Sequence, residues 1–116
     1  MGIIAERWLI DECVHLSVHR ATGIRKLTGM LGREELAPGA ALRLTRCRSV
    51  HGFGMKRPLD VIFVNSHGAV TSVRELAPWR MIGDRAAAEA FEFRRGEAAR
   101  MAIRPGMQFH KSTRGE

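Results

Sequence analysis

Leu59-Asp60-Val61-Ile62-Phe63-Val64, the turn Asn65-Ser66-His67-Gly68, and then Ala69-Val70-Thr71-Ser72-Val73-Arg74-Glu75-Leu76 form the stretch that decides the fold. The first run is short, rich in β-branched residues and nearly all apolar, as expected for a strand covered on both faces. A buried helical turn is the rival reading. Pro58 on one side and the polar residues on the other confine the run to strand length. Asn65 tolerates left-handed backbone geometry and Gly68 adopts it without a Cβ clash, so residues 65–68 make a hairpin turn. The returning strand is more polar and therefore half-exposed.

Asp60 interrupts the apolar run. A buried carboxylate without donors is costly, so Asp60 is expected at the strand entrance, accepting backbone N–H groups. The alternative makes it the acid of a small site with His51, Lys56 or Arg57.

Upstream lies Cys47-Arg48-Ser49-Val50-His51-Gly52-Phe53-Gly54-Met55-Lys56-Arg57. Gly52 and Gly54 disfavour a helix here and let the backbone approach something else closely. Cys47, His51 and Met55 therefore form no helical stripe, despite their spacing. Such a set would suit a soft metal such as Cu(I). It matches no closed zinc pattern and lacks a fourth ligand, so no metal or cofactor is assigned. A buried thiol, a hydrogen-bonded His and a core Met are the expectation. A Cys47–His51 nucleophile pair stays open.

The chain has 116 residues, 45% of them hydrophobic, enough for one domain over residues 1–110, with a polar tail at 111–116 expected to be disordered. Cys13 and Cys47 fit no disulfide framework, which points to reduced thiols and the cytoplasm. The N-terminus carries no secretory pattern, and no run is long enough to span a membrane. Net charge is +7, and residues 43–57 contain five basic side chains and no acidic one. Clustered positive charge favours an anionic ligand or protein partner. A nucleic acid is not the expected partner, because no recognition motif accompanies the charge. No nucleophile elbow, Walker loop or dinucleotide fingerprint occurs, so whether the chain is an enzyme stays open.

Residues 7–10 and 14–19 are strand-like, the second placing Val14, Leu16 and Val18 on one face and His15, Ser17 and His19 on the other. Thr22 to Leu31 has helical spacing, Ala37-Pro38-Gly39 is a turn, and residues 40–45 are a strand with Leu42 and Leu44 inward. Trp79, in the Ala77–Arg80 connection, is either a core anchor or a rim aromatic, with the core as the default. Residues 84–95 mix a helix-favouring alanine run with strand-like Phe91-Glu92-Phe93. Residues 96–103 read as a short helix stopped by Pro105-Gly106.

Thr28-Gly29-Met30-Leu31-Gly32-Arg33, followed by Val50-His51-Gly52-Phe53-Gly54-Met55-Lys56-Arg57-Pro58-Leu59-Asp60-Val61-Ile62-Phe63, resembles the prokaryotic family called domain of unknown function 192. Phe91-Glu92-Phe93, Gly96 and Ile103-Arg104-Pro105-Gly106 are similar to its closing strand, helix and turn. The chain departs from that pattern at Met107, where an aspartate would follow Gly106, and in a shortened Lys56-Arg57 loop. The resemblance implies a compact, mainly β domain and favours a strand over residues 88–94. It brings no established activity.

The expected fold is α+β but mainly β: a small curved antiparallel sheet or partly open barrel with one or two short helices. The expected role is a cytoplasmic binding or accessory module. Its contact residues would be Arg46, Cys47, His51, Phe53, Met55, Lys56, Arg57 and Asp60, with Arg80 and Trp79 nearby. A small enzyme or soft-metal site on Cys47, His51, Met55 and Asp60 is the alternative.

Overall fold

The structure, a computed structural model, describes residues 2–22 and 36–112. In chain order the elements are β1 (Gly2–Ile10), β2 (Val14–Thr22), β3 (Ala40–Leu44), β4 (Ser49–His51), β5 (Leu59–Val64), β6 (Val70–Leu76), β7 (Met81–Gly83), β8 (Glu89–Arg94), α1 (Glu97–Arg100) and β9 (Phe109–Lys111). The helix expected over residues 22–31 lies outside the described residues, apart from Thr22, which ends β2.

The β5–β6 hairpin forms as its sequence requires. Asn65 Oδ1 accepts the His67 and Ala69 N–H groups at 2.9 and 3.0 Å. Gly68 takes a φ of 83°. Strand β5 sits between β6 and β8 in a seven-stranded sheet of order β6-β5-β8-β3-β2-β1-β9. Paired on both edges and buried on both faces, it is central, in keeping with its apolar run. The sheet is not wholly antiparallel, since β2 and β3 run parallel. Strand pairing also overrides the helix propensity of Ala86–Ala90, because Glu89–Arg94 pairs with β3 and β5 together.

The sheet is strongly curled. Phe109 on edge strand β9 lies 4.9 Å from Phe91 on β8, ring centroid to centroid. In a flat sheet these strands, four places apart, would be separated by about 19 Å. The contact requires a half-barrel with Phe109 and Phe91 on its concave side. Trp8, Ile10, Leu16, Val18, Ile62, Phe91, Phe93 and Phe109 fill that interior, with Ala98 and Met101 from the α1 segment against them. An Ala69↔Gln108 bridge brings the hairpin turn to the β9 end of the sheet. Strand β9 runs to Lys111, and the Ser112 N–H donates to the Arg7 carbonyl at 2.8 Å, while residues 113–116 of the expected tail lie outside the described residues.

The convex side carries the second apolar cluster: Leu42, Leu44, Leu59, Val61, Phe63, Leu76 and Ala90, joined by Val50 and Met55. A two-stranded sheet of β4 and β7 covers it, with Val50 paired to Ile82 and both packed inward. Among the described residues no helix is long and apolar enough to cross a membrane.

Candidate binding surface on the small sheet

Alternation fixes what the small sheet shows to solvent. With Val50 and Ile82 turned inward, His51 and Met81, which are directly paired, face outward. After His51 the chain turns at Gly52. The Gly52 N–H donates to the Arg80 carbonyl at 2.8 Å, and the Trp79 N–H donates to the Gly52 carbonyl at 2.8 Å. The Met55 N–H reaches the same carbonyl at 3.1 Å. These bonds lock the 52–55 turn to the 77–80 turn. Only glycine fits at position 52: a Cβ there would lie 2.7 Å from the Ala77 carbonyl oxygen.

The locked turns align three rings. His51 and Phe53 have centroids 4.6 Å apart, and Phe53 and Trp79 are stacked at 5.9 Å with 23° between their planes. The Phe53 N–H points to His51 Nδ1 at 3.4 Å. Phe53 is 44% exposed, Trp79 68% and Met81 62%. The core position expected for Trp79 is thus corrected. Its φ of 63° and its bond to Gly52 turn the side chain out, while the interior is filled by phenylalanines.

Arg46, Arg48, Lys56, Arg57 and Arg80 are all exposed and flank the ring-bearing residues in sequence. Arg43, counted with that basic run, is not part of the surface. It lies on the concave side, bound to Glu89 at 2.7 and 2.9 Å and to Glu6 at 3.1 Å.

The remaining candidates separate. Asp60 accepts the Gly96 and Ala98 N–H groups at 3.0 and 2.9 Å and so caps α1, the role expected of a buried carboxylate with backbone donors. Met55 packs into the convex cluster beneath Gly52. The Cys47 thiol donates to the Ser49 carbonyl at 3.0 Å, and its backbone N–H bonds Ala88. His51, Phe53, Lys56, Arg57, Arg46 and Arg80 remain as surface groups. Trp79 and Met81 join them. Trp79 is expected near the contact loop from the sequence, whereas residue type does not announce Met81.

The concave side ends in a second polar feature. Glu6, buried beside Trp8, accepts the Trp8 Nε1–H at 2.9 Å and pairs with Arg20 at 3.1 Å, Arg43 at 3.1 Å and Lys111 at 3.4 Å. Burial raises the Glu6 pKa, but the Trp8 hydrogen bond and the charges of Arg43 and Lys111 outweigh it and hold the carboxyl below its ordinary value. The Arg43 guanidinium also lies 4.9 Å from the Trp8 ring centre. A cleft of about 260 Å³ opens beside this network, between Asn65–Gly68 and Gln108–Lys111. Arg43 there already serves two carboxylates, and Lys111 pairs with one of them.

Fold and surface together define a small half-barrel β protein that carries an outward aromatic shelf beside a small two-stranded sheet. The chain belongs to the family DUF192, described as uncharacterised ACR (COG1430), whose model matches residues 12–110. A provisionally assigned transcription regulator from Sinorhizobium meliloti 1021 superposes with a TM-score of 0.81 at 22% identity, covering 96% of each chain. A protein of unknown function from Novosphingobium aromaticivorans DSM 12444 does so with a TM-score of 0.77 at 20% identity, over 93% of this chain and 84% of that one. At these identities the likeness is one of fold. Among curated proteins none matches the chain.

Proposed function

We propose that this chain is a binding module, a single domain over residues 1–110, that engages an anionic partner through the His51–Phe53–Trp79 shelf and the cations around it. One observation carries the reading. Of the large hydrophobic side chains exposed among the described residues, Met81 lies on the small sheet, Phe53 and Trp79 on the turns that adjoin it, and only Ile4 lies elsewhere. Water-facing apolar groups scatter singly on most surfaces, and their gathering marks an interaction site. The positive φ of Trp79 adds weight, because strained backbone at bulky residues concentrates at functional sites. The acid-free charge around the shelf supplies the sign of the partner. Two thiols not joined in a disulfide fit a cytoplasmic setting.

The test is a titration of the chain with anionic probes: tripolyphosphate, heparin, poly-glutamate and an oligonucleotide. At least one should bind in a salt-dependent way and lose affinity in a Phe53→Ala/Trp79→Ala variant that unfolds at the wild-type urea midpoint. Binding of every probe unaffected by the double variant, or no binding at all, rejects the shelf as the contact surface.

A further inference from the structure

We propose that the partner of the shelf is single-stranded nucleic acid, with bases extending the His51–Phe53–Trp79 ring column and phosphates held by the surrounding cations. This rests on the reading of the shelf as the binding surface and narrows its ligand to one chemical class.

The ring geometry comes first. Phe53 and Trp79 stack at 5.9 Å between centroids with 23° between planes, and His51 lies tilted by 33° against Phe53 at 4.6 Å. The flat surface most open to solvent is the Trp79 ring, on the most exposed large hydrophobic side chain described, at 68%. A flat aromatic group laid on that face continues the column. Unpaired bases provide such faces, whereas bases inside a duplex have theirs occupied by one another. An acidic peptide offers charge but no succession of planar faces.

Charge gives the second constraint. Residues 36–59 and 76–83, which build the shelf and its rim, contain no aspartate or glutamate. Arg46 and Arg48 lead into β4, Lys56 and Arg57 leave the Phe53 turn, and Arg80 adjoins Trp79. All five are exposed. The nearest following acid, Asp84, is bound to the Ser72 hydroxyl at 2.6 Å and to the Ala86 N–H at 2.9 Å. Cations on both approaches to a stacking platform form the combination that tracks a single strand without reading its sequence. The lack of a sequence recognition motif is consistent with this, because stacking tolerates any base.

Rigidity is the third point. Trp79 and Phe53 sit on turns joined through Gly52 by two backbone bonds of 2.8 Å, so the platform exists before the ligand arrives.

The experiment measures fluorescence anisotropy of a labelled mixed-sequence twelve-nucleotide single strand with the full chain. The same strand in a duplex, heparin, poly-glutamate and phosphatidylserine vesicles serve as competitors. The single strand should bind more tightly than the duplex and quench the exposed tryptophan. Trp79→Leu should weaken it about 10- to 100-fold, the loss of one stacked base. The logarithmic salt slope should be no steeper than about −3.5, and Lys56→Gln/Arg57→Gln should make it shallower by about 1.4. Circular dichroism and urea midpoints confirm that the variants are folded. Equal or tighter binding of the duplex, or a Trp79→Leu variant with unchanged affinity for the strand, overturns the inference. If poly-glutamate, heparin or vesicles bind through Trp79 and the strand does not, the inference fails and the shelf stands as a binding surface. If no probe binds, both fall.

Discussion

Trp79 and Gly52 carry opposite kinds of constraint at the same contact. Trp79 adopts a left-handed φ of 63°, a geometry that costs an L-residue roughly 1–2 kcal/mol. Trp79→Gly removes that strain together with an exposed ring, so the variant should be as stable as the parent or more so in urea unfolding. A loss above about 1 kcal/mol would show that the Phe53–Trp79 stack is a structural brace, since strain relief alone has the opposite sign. Gly52→Ala should do the reverse. Its Cβ would meet the Ala77 carbonyl, which is backbone and must shift. A destabilisation of about 1–3 kcal/mol, the range for overpacking, is expected by thermal or urea denaturation. Much of this contact was legible in the chain. Two glycines around Phe53 announced a close backbone approach, and the cost of a buried carboxylate correctly assigned backbone donors to Asp60. The outward position of Trp79 was legible only as the alternative to a core anchor. Residue type encodes apolar character but not the sign of φ, and its outward turn depends on a bond to Gly52 from a distant part of the sequence.

At the scale of elements, the short helix depends on a side chain from elsewhere. Helix α1 spans only Glu97–Arg100, far below the length at which helices persist alone. Its first N–H groups are met by Asp60 from β5. Asp60→Ala should cost about 1 kcal/mol, as for loss of a cap, and should speed hydrogen exchange at the Gly96 and Ala98 amides. Asp60→Asn keeps an acceptor and should lose less. The helix expected over residues 96–103 is therefore cut to one turn. Ala102 with a φ of 55° ends it before Pro105 does. Strands were read more securely than helices for a physical reason. The alternation of β2 and the apolar run of β5 reflect burial directly, whereas the alanine run ahead of β8 carries a local helix propensity that its last residues, Glu89 and Ala90, give up to two neighbouring strands.

Across the whole molecule, charge pairs hold the ends of the half-barrel and set its pH response. Glu6, Asp84 and Glu97 all titrate below their ordinary values. For Asp84 the Ser72 hydroxyl is the main cause, and for Glu97 it is the hydrogen bond from Arg100. A carboxyl whose folded pKa is depressed contributes stability that is fully present above its unfolded value. That contribution is lost as pH falls through the folded value. Urea midpoints should therefore be flat near neutrality and fall below about pH 4, and Glu6→Gln should flatten the acid limb. Arg43→Met leaves Glu6 and Glu89 without their shared cation and should cost about 3 kcal/mol. The parallel β2–β3 pairing also governs how the molecule assembles. The β1–β2 and β5–β6 hairpins close locally, but β3 must find β2 across residues 23–39 and β8 across a longer span, and Trp8 meets Lys111 only when both ends of the chain converge. Closing such distant segments costs chain entropy before any contact rewards it, which puts refolding on the slow, millisecond-to-second side. Substitutions at Ala41, where β3 joins both neighbours, should slow refolding in stopped-flow measurements, whereas changes in β9 should chiefly speed unfolding.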